Sequence, residues 1–136
     1  MKALGNRHVL VVHSDDGLDE ISIAAPTSVA ELKDGNISTY TISPEQFGLK
    51  RGKLADITVD RIEDSYALMR GVLDNQPGTA RDIVVLNAGA AIYAADITPS
   101  LEQGVRLAEK VLADGSAKQK LEALIALTGK LADKPT

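Results

Sequence analysis

His8-Val-Leu-Val-Val-His-Ser-Asp-Asp-Gly-Leu-Asp-Glu-Ile-Ser22 is the stretch that decides how this chain is read. Residues 9–12 form a short unbroken apolar run, the pattern of a strand covered on both faces. The run ends abruptly in a loop that carries Asp15, Asp16, Asp19 and Glu20. Open α/β folds place their ligands at the C-terminal ends of core strands. Carboxylate oxygens are also what a hard cation such as Mg2+ selects. The stretch therefore predicts an α/β fold with a candidate metal corner beside its first strand.

Downstream, Ile21 and Ile23 alternate with polar neighbours until Pro26 ends the run. Residues 28–32 and 37–42 flank Lys33-Asp34-Gly35-Asn36. An Asp-Gly pair between two such runs predicts a tight antiparallel hairpin. Ser43-Pro44 should cap a short helical turn before Phe47-Gly48, and residues 49–58, polar and rich in Lys and Arg, read as a surface loop.

From Asp60 the pattern turns helical. Ile62, Tyr66, Met69 and Leu73 recur at helical spacing, and Asn75-Gln76-Pro77-Gly78 stops that helix. Thr79 with Asp82 three residues later resembles a capping box. Residues 83–95 are apolar nearly all round; their length and five alanines favour a central helix. A third helix starts near Thr98-Pro99 or Ser100 and buries Leu101, Val105, Ala108 and Leu112, and Gly115 closes it. Ser116 with Gln119 caps a fourth helix, with Leu121, Leu124, Ile125 and Thr128 on one face, and the polar tail after Leu131 is expected to fray. The expected architecture is a mixed α/β layer with an antiparallel hairpin, packed with about four helices in a single domain.

Composition narrows the function classes. The 136 residues are 44% hydrophobic and suit one compact domain. A net charge of −4, no Lys/Arg cluster and scattered Tyr40, Phe47, Tyr66 and Tyr93 argue against a nucleic-acid surface. No apolar run approaches the roughly 20 residues of a membrane span, and the N-terminus lacks the three-part layout of a signal peptide. No membrane association and a cytoplasmic location are expected. Zero cysteines exclude a disulfide framework and a thiolate metal site.

Each candidate site residue also has an ordinary reading. From the residues alone, Asp15 and Asp16 are favoured as solvated turn residues and Asp19 as a turn cap, since Asp is a common turn residue. The acidic spacing fits no twelve-residue calcium loop. His8 and His13 bracket the strand and read as hydrogen-bonded structural residues. Ser14 and Ser22 lack a G-x-S-x-G elbow. Asn87, inside the most apolar helix, reads as a satisfied buried amide. Arg7, Lys50, Arg51 and Lys53 read as solvated cations. None of the eleven glycines builds a G-x-G-x-x-G or Walker pattern. The chain thus carries a candidate metal corner and no phosphate cradle.

Six segments resemble the C-terminal part of the anthranilate phosphoribosyltransferase family. They are Leu4-Gly-Asn-Arg-His-Val-Leu-Val-Val-His-Ser14, Gly17-Leu-Asp-Glu-Ile-Ser22, Pro26-Thr-Ser-Val-Ala-Glu-Leu32, Phe47-Gly-Leu49, Asp82-Ile-Val-Val-Leu-Asn-Ala88 and Ser100-Leu-Glu-Gln-Gly-Val105. The Gly-Leu-Asp-Glu element is the most specific of them. The resemblance implies that Asp19 and Glu20 bind Mg2+ associated with the pyrophosphate of phosphoribosyl pyrophosphate, and that Asp15 and Asp16 are loop residues. It implies transfer of 5-phosphoribosyl to anthranilate in tryptophan biosynthesis.

Family members are longer, with an N-terminal helical domain and the first part of the α/β domain ahead of this segment. The resemblance thus implies a homodimer formed through that helical domain, and a 136-residue piece that is inactive alone, with an incomplete mixed sheet and part of its apolar core uncovered. Two other readings stay open: a pyrimidine nucleoside phosphorylase-like or anthranilate-transferase-like enzyme of other specificity, and a free-standing non-enzymatic binding module.

Overall fold

In the computed structural model, which describes residues 1–132, three strands come first and four helices follow. Strand β1 spans His8–Ser14, β2 spans Thr27–Lys33 and β3 spans Asn36–Ile42. The sheet order is β1-β2-β3. Both pairings are antiparallel, with Val9 opposite Leu32 and Leu32 opposite Ile37. No parallel pair accompanies them among the described residues, because a parallel partner needs a crossover, usually a helix, and residues 15–26 form a loop without one. The β2–β3 hairpin turns as its sequence predicts: Asp34 and Gly35 adopt φ of 47° and 80°, the positive values that a two-residue turn of this kind demands.

The strand β1 is not covered on both faces, as its unbroken apolar run suggests. It is an edge strand of a three-stranded sheet, and Val11 is 53% exposed. Residues 20–24 form no strand either. Their alternation instead drives Ile21 and Ile23 into the core as buried pegs. The expected short turn forms as a 3-10 helix at Pro44–Phe47 with Ser43 as its N-cap, and the Ser43 amide donates to the Gln46 side chain at 3.1 Å. The loop after it holds a second turn at Leu54–Asp56, and Leu49 at its start is buried.

Helix α1 covers Ile62–Leu73, α2 Thr79–Ala94, α3 Leu101–Ala113 and α4 Ser116–Ala132. Helix α2 is central, burying Ile83, Val85, Leu86, Ala90 and Tyr93. It packs most closely on α3, where Gly89 faces Gly104 and Val105. The expected capping box at Thr79 does not form. Gly78 is the N-cap, and the Thr79 hydroxyl donates to Asp56 at 2.9 Å, tying α2 to the preceding turn. Of the two starts open in the sequence, Ser100 is the one that caps α3, accepting from the Gln103 amide. Helix α4 starts instead on Asp114, whose carboxylate accepts from the Ser116 amide and hydroxyl. The α4 stripe remains open, with Leu124 and Ile125 exposed. Of the tail after Leu131 expected to fray, Ala132 is the last residue of α4, and residues 133–136 lie outside the described residues.

Candidate functional site

The acidic loop leaves β1 at Ser14 and returns to β2 at Thr27, and side chains hold it from within. Ser14, Ser22 and Thr27 are all fully buried, so their polar atoms require partners inside the fold. Asp16 supplies them for both serines. Its Oδ1 accepts from the Ser14 hydroxyl at 2.7 Å and the Leu18 amide at 3.2 Å, and its Oδ2 accepts from the Ser22 hydroxyl at 2.6 Å. Desolvation alone would raise the Asp16 carboxyl, but the hydrogen bonds from Ser22, Ser14 and the Leu18 amide outweigh it and hold the group below its ordinary value. The Ser22 amide donates to Thr27 Oγ1 at 3.1 Å, while Ser22 Oγ accepts from the Ala24 amide at 2.9 Å.

Asn87 grips the same loop from α2. Its Oδ1 accepts from the Ile21 amide at 3.0 Å, and its Nδ2 donates to the Ile21 carbonyl at 2.8 Å and to the Ile83 carbonyl at 3.0 Å. The Gly52 amide donates to the Ile23 carbonyl one step further on. Arg51 forms a two-point pair with Glu45 and also reaches the Ala24 carbonyl.

Between these clamps Asp19 and Glu20 stand exposed. The Glu20 carboxyl is pushed above its ordinary value, first by desolvation and then by the neighbouring Asp19 charge. Two adjacent carboxylates whose mutual repulsion a cation would relieve are a candidate edge for a divalent ion. No cluster of three or more His, Cys, Asp or Glu side chains suited to a metal is present among the described residues. A donor set of two fits Mg2+, which keeps several waters and completes its shell with substrate phosphate oxygens rather than with a protein cage.

The other candidates lie elsewhere. His13 and Asp15 are exposed. His8, Arg7 and Asp96 belong to a polar cluster at the opposite end of β1. There Glu31 accepts from Tyr93 at 2.6 Å and Tyr40 at 3.0 Å and lies 3.1 Å from His8 Nε2. His8 Nδ1 is 2.7 Å from Asp96, which also pairs with Arg7. Lys33 donates to the Tyr93 hydroxyl and sits over its ring. Lys50 and Lys53 are exposed and distant in sequence from the acidic pair. Reading the sequence missed Asp16 as an organiser of the loop; its available signal was the pair of serines, at positions 14 and 22, flanking a run of acids.

Residues 1–118 match the protein family described as glycosyl transferase family, a/b domain. The chain belongs to this family. Among its glycosyl transferase relatives, the anthranilate phosphoribosyltransferase of Methylococcus capsulatus is 64% identical over 132 residues, which is 97% of this chain and 39% of that protein. The crystal structure of anthranilate phosphoribosyltransferase from Thermus thermophilus superposes with a TM-score of 0.82 at 40% identity, covering 92% of this chain and 36% of that one. The Saccharomyces cerevisiae enzyme in complex with PRPP and Mg shares the fold at TM-score 0.73 and 22% identity, covering 85% of this chain and 33% of that one. The chain therefore spans less than two fifths of the length of these relatives. No helix among the described residues is long and apolar enough to cross a membrane.

Proposed function

We propose that this chain forms the magnesium-binding corner of an anthranilate phosphoribosyltransferase, the C-terminal part of that enzyme's α/β domain. The reaction is transfer of the 5-phosphoribosyl group of phosphoribosyl pyrophosphate to the anthranilate amine, with release of pyrophosphate. The observation that carries the reading is an exposed Asp19–Glu20 pair held between two clamps, in a chain 64% identical to a relative of that name. Asp19 and Glu20 would supply the protein oxygens for Mg2+, which when bound would offset charge developing on the pyrophosphate as its bond to ribose breaks. The hydrogen-bonded loop behind them holds the backbone from which both carboxylates project.

The chain has no glycine-rich phosphate cradle, so the residues that hold the sugar phosphate and anthranilate belong to the rest of the longer enzyme, and these 136 residues alone are inactive. Assembly as a homodimer through a helical domain outside these residues and a cytoplasmic location complete the reading. In the full-length enzyme, Asp19→Ala/Glu20→Ala should lower turnover severely and weaken the dependence on Mg2+. Unchanged rates at limiting Mg2+ would reject the assignment.

A further inference from the structure

The amide of Asn87 replaces a neighbouring strand for Ile21. It satisfies both backbone polar groups of a residue that is only 3% exposed, and its third bond, to the Ile83 carbonyl one turn back, fixes its own rotamer. The Ile21 amide belongs to the peptide bond that leaves Glu20. Fixing that N–H therefore fixes the plane from which the Glu20 side chain springs. Beyond Ile21 the chain is anchored again, by Ser22 to Asp16 and by the Ile23 carbonyl to Gly52. Before it, the Leu18 amide is held on Asp16. Asp19 and Glu20 are the two residues of this turn free of such ties among the described hydrogen bonds, and Asn87 ties the adjoining Ile21 to helix α2.

We propose that Asn87 is a positioning residue for the metal site: it holds Ile21 so that the Glu20 carboxylate is presented beside that of Asp19. The inference rests on the reading of Asp19 and Glu20 as metal ligands. Groups that orient ligating side chains commonly change metal affinity by about 10–100-fold when removed. A half-buried amide with a purely structural duty would change stability alone.

The two duties separate in the 136-residue chain titrated with Mn2+, a paramagnetic stand-in for Mg2+, and followed by amide NMR. In the unaltered chain, broadening should centre on residues 18–22 and vanish in Asp19→Asn/Glu20→Gln. Asn87→Ala should raise the Mn2+ midpoint about tenfold and speed hydrogen exchange of the Ile21 amide relative to the amides of β2. Asn87→Leu, an apolar replacement of similar bulk, serves should the alanine variant fail to fold. Val85→Ala removes buried bulk from another face of α2 and should lower Tm without moving the Mn2+ midpoint. Unmoved midpoints in folded Asn87 variants, beside lost broadening in the carboxylate variant, overturn the proposal alone. Broadening that survives Asp19→Asn/Glu20→Gln overturns the metal reading and the proposal with it.

Discussion

The Ser22 hydroxyl donates to Asp16 Oδ2 across 2.6 Å, closing the acidic loop on itself. One carboxylate thereby satisfies two fully buried serines, and it does so from within a group of acids whose other members face solvent. Within one loop, then, Asp16 has its oxygens engaged by donors of the fold, while Asp15, Asp19 and Glu20 keep theirs exposed, the last two being the pair proposed to hold the metal.

Asp16→Ala should destabilise the chain by on the order of 1–3 kcal/mol, since both serine hydroxyls lose their principal acceptor inside the fold. The pH dependence has a definite sign. Hydrogen bonds hold the Asp16 carboxyl below its ordinary value of 3.8, so its stabilisation is complete above that value and is lost as pH falls through the lower folded-state one. Thermal melts of both chains should differ most at neutral pH and converge in strong acid. Coincident melts at pH 7 would remove Asp16 from the loop's support.

Gly89 and Gly104 mark the closest approach of α2 and α3. A Cβ on Gly104 would stand 2.3 Å from the Gly89 carbonyl oxygen, and one on Gly89 would stand 2.6 Å from the Val105 Cα. Both obstacles are backbone, which cannot rotate away. Gly89→Ala and Gly104→Ala should each cost about 1–3 kcal/mol through overpacking. Gly129→Ala, where a Cβ meets nothing within 4 Å, should be neutral or slightly stabilising by helix propensity. Denaturant unfolding of the three variants orders them; a neutral Gly104→Ala would contradict the packing.

Much of this fold is legible in the residues because the signals are local. Asp34-Gly35 fixes a two-residue hairpin, Ser100 caps α3, and the alanine-rich run of α2 is long and apolar enough to be central. What is not legible depends on partners distant in sequence. Thr79 satisfies Asp56 rather than its own helix, Asn87 reaches Ile21 across 66 positions, and the glycines at 89 and 104 matter only because their helices cross there. Residues 9–12 mislead for a related reason: an unbroken apolar run reports hydrophobicity on both faces and not what covers each face, and Val11 lies on the open one. Of the candidate site, the acidic pair is named by resemblance, while the clamps that hold it require three dimensions.

Glu31 is the acceptor on which the second polar cluster converges. Burial alone would raise its carboxyl, but hydrogen bonds from Tyr93, Tyr40 and His8 hold it below the ordinary value of 4.5. Its contribution is therefore present above that value and lost as pH falls through the folded-state one. Glu31→Ala leaves a nearly buried His8 ring and two tyrosine hydroxyls without their shared partner and should cost about 3 kcal/mol at pH 7. Its acid limb, in melts recorded between neutral pH and strong acid, should be shallower than that of the unaltered chain. An equally steep acid limb would place the acid-labile group elsewhere.

Glu20 carries the opposite sign, that of a carboxylate whose ionised form does not support its loop. Desolvation and the Asp19 charge raise its carboxyl, so the folded chain binds a proton there more readily than the unfolded one. Its favourable contribution is complete below the ordinary value of 4.5 and is lost as pH rises through the higher folded-state value. At neutral pH the ionised pair is thus a burden on the fold. Glu20→Gln should raise Tm slightly, on the order of 1 °C, and the gain should disappear below the ordinary carboxylate range, where Glu20 is already neutral. The same substitution should weaken the Mg2+ dependence of the full-length enzyme, because the amide cannot supply an anionic oxygen. A side chain that stabilises its own loop behaves in reverse: as with Asp16, its removal lowers Tm and the loss grows with pH. A fall in Tm for Glu20→Gln at pH 7 would therefore count Glu20 among the supports of the loop.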